Sequence, residues 1–236
     1  MSTLHLRWHN QAVPNSMQDP SVDSLTRTQI ERRERILEAV RDTLSSHGYD
    51  GLSMRELADS ANVSPTTLYN LFGGKDALVL AALRDVLGFI ADRVEQSGAT
   101  GMQRLLIGAE EVGRQVVATP EYAEGMARTL FNADPADPIC RLLLADGIEG
   151  NCRALVKMQA LGEIRRHVDV DAFARDLTGR GWMVILLWMK GFIALRAVPF
   201  ELRRSIVVAL AAATTPRLAR RMRTEFDVRT PIAKAS

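Results

Sequence analysis

LSMRELADSANVSPTTLYNLFGGKDALV, residues 52–79, carries an unusually dense set of helix boundaries. Ser53 precedes an apolar-periodic run and Glu56 follows three residues later, the spacing of a capping box, with Leu52 and Leu57 placed as its hydrophobic staple. Ser64 stands as a second N-cap, Pro65 takes the first helical position, and Val63 and Leu68 form a second staple. Only Ala61, Asn62 and Val63 separate the two helices. Asn62 falls where such a turn needs a left-handed residue, a conformation asparagine tolerates. Gly73 and Gly74 end the second helix, and Lys75 opens a longer one.

Two short helices joined by a three-residue turn, with another helix before them, predict a helix-turn-helix over 53–72. In that motif the second short helix enters the DNA major groove. The stretch NVSPTTLYNLF, residues 62–72, has no charge, although 25% of the chain is charged. Leu68, Leu71 and Phe72 are expected on its inner side, leaving Pro65, Thr66, Tyr69 and Asn70 outward. Base reading needs no net charge: threonine and asparagine meet base edges and the thymine methyl, while tyrosine hydroxyls and helix N-termini hold phosphates. Positive charge comes from Lys75, and the Ser64-capped N-terminus offers backbone N–H groups to a phosphate. The expected DNA-facing set is Ser53, Ser64, Pro65, Thr66, Tyr69, Asn70 and Lys75, to which the resemblance described below adds Thr67. A surface helix of no special function would explain either cap alone; two caps, two staples and the asparagine turn together favour DNA.

The rest of the composition bounds this reading. With 236 residues and 47% hydrophobic content, the chain can bury a sizeable core. A formal net charge of +2 gives no general affinity for polyanions, so any nucleic-acid contact must be local. Cys140 and Cys152 on one helix would stand roughly 18 Å apart, too far for a disulfide, and two cysteines make no paired-cysteine zinc motif. No metal site or cofactor is expected. The N-terminus lacks the apolar run of a signal peptide and is broken by Pro14 and Pro20. The longest apolar run, WMVILLWM at 182–189, falls short of the ~20 residues that cross a bilayer. These features read as a cytoplasmic protein with no membrane partner.

Residues 1–26 are polar and aperiodic and read as a flexible arm, with a DNA-binding domain over 27–97 and an effector-binding and dimerisation domain over 98–236. Ile36, Leu37, Val40 and Leu44 form an apolar stripe that Gly48 closes. The helix from Lys75 is expected to turn Leu78, Ala82, Val86, Phe89, Ile90 and Val94 inward. Further helices are expected near 102–118, 120–132, 138–165, 170–196, 200–213 and 216–226, with no strand pattern anywhere. The fold class is therefore all-α.

Residues 29–80 resemble the N-terminal domain of the TetR (tetracycline-repressor) family of bacterial transcription regulators, and 52–79 follow its pattern almost position by position. The resemblance implies an all-α homodimer that binds a near-palindromic operator as a repressor and answers to a small ligand in its C-terminal domain. It makes Tyr69 and Lys75 phosphate contacts, and Thr66 and Thr67 base or phosphate contacts. Asn70 stands where the family often has histidine or tyrosine, and Gly74 replaces a more usual polar residue. The family's dimer interface lies on its last two long helices, which here means 170–196 and 200–213.

The C-terminal residues add weaker signals. Positions 181–189 are apolar on more than one side, and Ala209 to Ala213 permit close helix approach, so Ile185, Trp188, Met189, Phe192, Val207, Leu210 and Ala211 are the dimer candidates. Met126, Phe131, Met158, Trp182 and Met183, with Asn132 or Asn151 as polar anchors, are candidates for an apolar or aromatic effector pocket. Arg217, Arg220, Arg221 and Arg223 make a basic, amphipathic terminal helix. Catalysis finds no support: HExxH, GxSxG and phosphate-loop patterns are absent, and GRGWMV lies in an apolar helix with no strand before it. His5, His9, His47 and His167 fall in the arm or near helix ends. The competing class is a helical binding or scaffolding protein without DNA activity.

Overall fold

A computed structural model describes residues 26–49, 51–132 and 137–225; the expected N-terminal arm lies outside them, apart from Thr26. The described residues form ten α-helices in the order α1 (Arg27–His47), α2 (Met54–Ser60), α3 (Pro65–Phe72), α4 (Lys75–Gln96), α5 (Gly101–Ala118), α6 (Pro120–Asn132), α7 (Pro138–Ala160), α8 (Val170–Met189), α9 (Val198–Ala213) and α10 (Pro216–Glu225). A single 3₁₀ turn, Leu195–Ala197, precedes α9. Among them, extended pairing is limited to one isolated bridge, Ile164 with Thr214. None of these helices is long and apolar enough to cross a membrane.

Local chemistry starts and stops the N-terminal helices. Thr26 and Gln29 form a reciprocal capping box on α1, and Gly48, at φ 67°, donates its N–H to the Leu44 carbonyl to end it. Asn62 closes α2 at φ 52°. Its N–H bonds to Asp59 O at 3.2 Å, and Val63 N–H bonds to Ala58 O at 2.9 Å. These two bonds make a Schellman stop, with asparagine in the place glycine usually holds. Ile36, Leu37, Val40, Leu44, Leu57, Leu68 and Leu78 fill the core beneath α2 and α3. Leu52 and Val63 of the two staples also join that cluster.

The same stop ends two helices earlier than their apolar pattern suggests. Helix α7 ends at Ala160 rather than 165, where Gly162 (φ 67°) follows and Glu163 N–H bonds Met158 O at 2.9 Å. Helix α8 ends at Met189 rather than 196, where Gly191 (φ 77°) follows and Phe192 N–H bonds Leu187 O at 2.9 Å. Apolar residues continue past both glycines, so periodicity alone carries the helix too far. Two inward assignments are also corrected. Leu71 is 38% exposed on α3, whose inner contacts come from Leu68 and Phe72, and Phe89 is 58% exposed on α4. Each lies one helical step beyond the stripe that meets the core.

The N-terminal core does not end at a linker. Tyr122 and Met126 of α6 and Ile139 and Leu143 of α7 belong to the same cluster as the α1–α4 residues. At Gly125 a Cβ would lie 3.0 Å from the Leu44 carbonyl oxygen, so α6 crosses α1 at a point only glycine fits easily. Nearby, Arg41 of α1 meets Asp85 of α4 at 2.8 Å. The buried Tyr122 hydroxyl has no hydrogen-bond partner among the described residues, and burial pushes its pKa up to about 12, the Arg41 charge opposing the shift. In the C-terminal part α5 packs against α9 so closely that a Cβ at Gly113 would fall 2.4 Å from Pro199 Cα.

Candidate nucleic-acid interface

Helix α3 is built from its first turn. The Ser64 hydroxyl accepts from Thr67 N–H at 3.1 Å and lies 2.8 Å from the Thr67 hydroxyl. Pro65 has no N–H to leave unsatisfied, so Thr66 N–H is the one in this turn without a hydrogen-bond partner among the described residues. With Leu68 fully buried, Thr66, Tyr69 and Asn70, three and four residues apart, fall together on the exposed face. Tyr69 is 52% exposed.

The expected set therefore divides by role. Thr66, Tyr69 and Asn70 present side chains outward, and Pro65 is exposed beside them. Thr67 is half-buried and engaged with Ser64, and Ser53 caps α2 through Glu56 N–H at 3.5 Å. Lys75, the first residue of α4, brings a cation to the edge of this face after Gly73 and Gly74. Its Nζ lies 4.4 Å from the centroid of the Tyr49 ring, while the Tyr49 hydroxyl donates to the Asp76 carboxylate. Arg33 of α1 lies over the Phe72 ring at 5.9 Å and so braces α3 from behind. Sequence reasoning missed Tyr49 and Arg33; the only available signal was an aromatic residue directly after the helix-stopping Gly48.

The C-terminal candidates scatter. Phe131 and Asn132 line a cleft of about 200 Å³ between α6 and α8, with Glu124, Arg128, Leu186, Met189 and Lys190. Trp182 stands edge-on to Phe131, with ring centroids 6.3 Å apart. Met126 and Met158 instead pack into the two main cores and line no described cavity. Asn151 spends its amide on the Thr178 hydroxyl at 3.0 Å, and Met183 is 52% exposed on the outer side of α8. Of the dimer candidates, Ile185, Val207 and Leu210 are buried within their own subunit, and Trp188 and Met189 are half-buried against it. Phe192 and Ala211 are exposed. Phe200, Val208 and Ala212, which sequence reasoning did not select, lie exposed on one face of α9, eight and four residues apart. Arg204, exposed in step with them, was the one polar mark of this face, since residues 206–213 are apolar throughout. The side chains of Arg217, Arg221 and Arg223 lie outside the described residues.

A serine-capped two-helix motif, followed by a larger all-helical body that shares its core, defines a helix-turn-helix protein. The family model for bacterial regulatory proteins of the tetR family matches residues 36–82. Residues 36–82 therefore carry the N-terminal domain of this family, and the likeness beyond them is one of fold. It is 38% identical over 109 residues to the transcriptional repressor KstR of Mycobacterium tuberculosis, covering 45% of this chain and 50% of KstR. It is 32% identical over 113 residues to KstR of Rhodococcus jostii. The chain thus spans about half the length of these curated relatives. Among solved structures, a TetR-family regulator from Rhodococcus sp. superposes with a TM-score of 0.64 at 25% identity, over 77% of this chain and 99% of that one. SmeT, the repressor of a Stenotrophomonas maltophilia efflux pump, superposes with a TM-score of 0.65 at 18% identity, over 79% and 92%, and shares the fold.

Proposed function

We propose that the protein is a homodimeric, ligand-responsive transcriptional repressor that binds a near-palindromic operator. One observation carries the reading: an uncharged α3 presents Thr66, Tyr69 and Asn70 from a serine-capped N-terminus, with Lys75 beside them. Thr66 and Asn70 read base edges, while Tyr69, Lys75 and the first turn of α3 hold phosphates. The tetR-family match over residues 36–82 and the names of the KstR relatives support it. A cytoplasmic location follows from work on chromosomal DNA.

Mutation of the two contact types separates them. Lys75→Ala is expected to weaken binding to every duplex alike and to reduce the salt slope by about one. Thr66→Ala or Asn70→Ala is expected to change base preference instead, at about 1–3 kcal/mol per lost contact. Anisotropy titrations against an upstream duplex and its single-base variants measure both. An unchanged preference at every position removes that residue from base readout.

The domain division follows the same logic, with 27–97 reading DNA and 98–236 holding the effector and the partner subunit. SmeT has been solved in complex with triclosan, an aromatic compound. Here the cleft between α6 and α8 offers Phe131, Leu186 and Met189 to an apolar or aromatic molecule. Arg128 is paired with Glu124 at 2.6 Å, which leaves Lys190 to favour an anionic group on it. Because α6 also enters the core beneath α1, a ligand that prefers the DNA-free arrangement lowers operator affinity by the ratio of its two affinities. Thermal-shift screening of aromatic and alkyl compounds, with and without a carboxylate, followed by operator titration with each hit, tests this. Tight ligands that leave operator affinity unchanged rule out effector control, since equal affinity for both states shifts nothing.

A further inference from the structure

Among the described residues Lys75 forms no ion pair, although Asp76 is its neighbour in the chain. Tyr49 engages both residues differently. Its ring face lies under the ammonium, 4.4 Å from centroid to Nζ, and its hydroxyl donates to the Asp76 carboxylate. The ring is placed by a turn: Gly48 leaves α1 at φ 67°, and the Tyr49 carbonyl accepts from Leu52 N–H at 3.2 Å.

We infer that Tyr49 is a positioning residue for DNA-backbone recognition: its ring aims Lys75 without neutralising it. The inference rests on the DNA-binding reading above. A free lysine loses rotamer entropy when it settles on a phosphate, and prior contact with a ring removes part of that loss. An ion pair would pre-order the side chain equally well, but a phosphate would then have to displace a carboxylate. The ring attracts the cation through its quadrupole and adds no formal negative charge, so the full charge of Lys75 stays available to release a counterion from DNA.

A double-mutant cycle on the full-length protein tests this with Tyr49→Leu, Tyr49→Phe, Lys75→Ala and the Tyr49→Leu/Lys75→Ala pair. Each protein is titrated against an operator duplex and a scrambled duplex over a salt series. Tyr49→Leu is expected to weaken binding to both duplexes by about three- to tenfold with the salt slope unchanged. Tyr49→Phe, which keeps the ring, is expected to stay within about twofold of wild type. In the Lys75→Ala background Tyr49→Leu is expected to add nothing, whereas a merely structural role for Tyr49 would persist there. Proton NMR of the free protein gives a second readout. The Lys75 ε-methylene signals are expected upfield in wild type and Tyr49→Phe, and at ordinary positions in Tyr49→Leu. Additive losses, or a Tyr49→Phe protein as weak as Tyr49→Leu, overturn the inference while leaving DNA binding intact. A wild-type protein that binds neither duplex overturns both.

Discussion

Replacing Val208 with aspartate is expected to leave a folded monomer and to lower operator affinity to the level of non-specific DNA, a loss on the order of a thousandfold. Val208 is 48% exposed, flanked along α9 by exposed Phe200 and Ala212 and by Arg204, which pairs with Glu201 at 2.9 Å. In the proposed dimer the two-fold axis joins this patch of both subunits, so one substitution places two carboxylates in one apolar contact. Because Val208 touches little of its own subunit, folding survives while association does not. Light scattering at micromolar concentration, beside operator titration, reads both. A Val208→Asp protein that remains dimeric would move the subunit contact away from this face of α9.

Leu68→Ala is expected to cost about 2–5 kcal/mol, from the lost apolar contact and the cavity left behind. That is a large share of the ~5–15 kcal/mol that holds a typical domain together. Leu68 is the one wholly buried residue of α3, so truncating it loosens the packing of α3 on the core it shares with α1 and α4. Leu71, three residues on and 38% exposed, supplies the contrast: its alanine variant is expected to fall within about 0.5 kcal/mol of wild type. Denaturant unfolding measures both. Equal losses at the two positions would contradict the packing of α3 described above.

The reading head was legible because its signals are local. Ser64, Pro65 and Asn62 act on backbone groups within three or four residues of themselves, and Leu52, Leu57, Val63 and Leu68 staple neighbouring turns. A short window of sequence therefore contains both the cause and the effect. The all-α class follows from the same kind of signal, repeated at each proline and capping residue.

Tertiary structure decided what depends on the phase of a helix or on residues far apart in the chain. Residues 181–189 of α8 and 206–213 of α9 are apolar all round, so hydrophobicity could not show that Ile185, Val207 and Leu210 face inward while Met183 and Val208 face out. Met126 and Met158 have the chemistry of a pocket lining, but packing made them core. Lys75 and Tyr49 meet only because Gly48 turns the chain back after α1. Capping and stapling follow from the few residues around them; burial and long-range pairing follow from the whole chain packed at once.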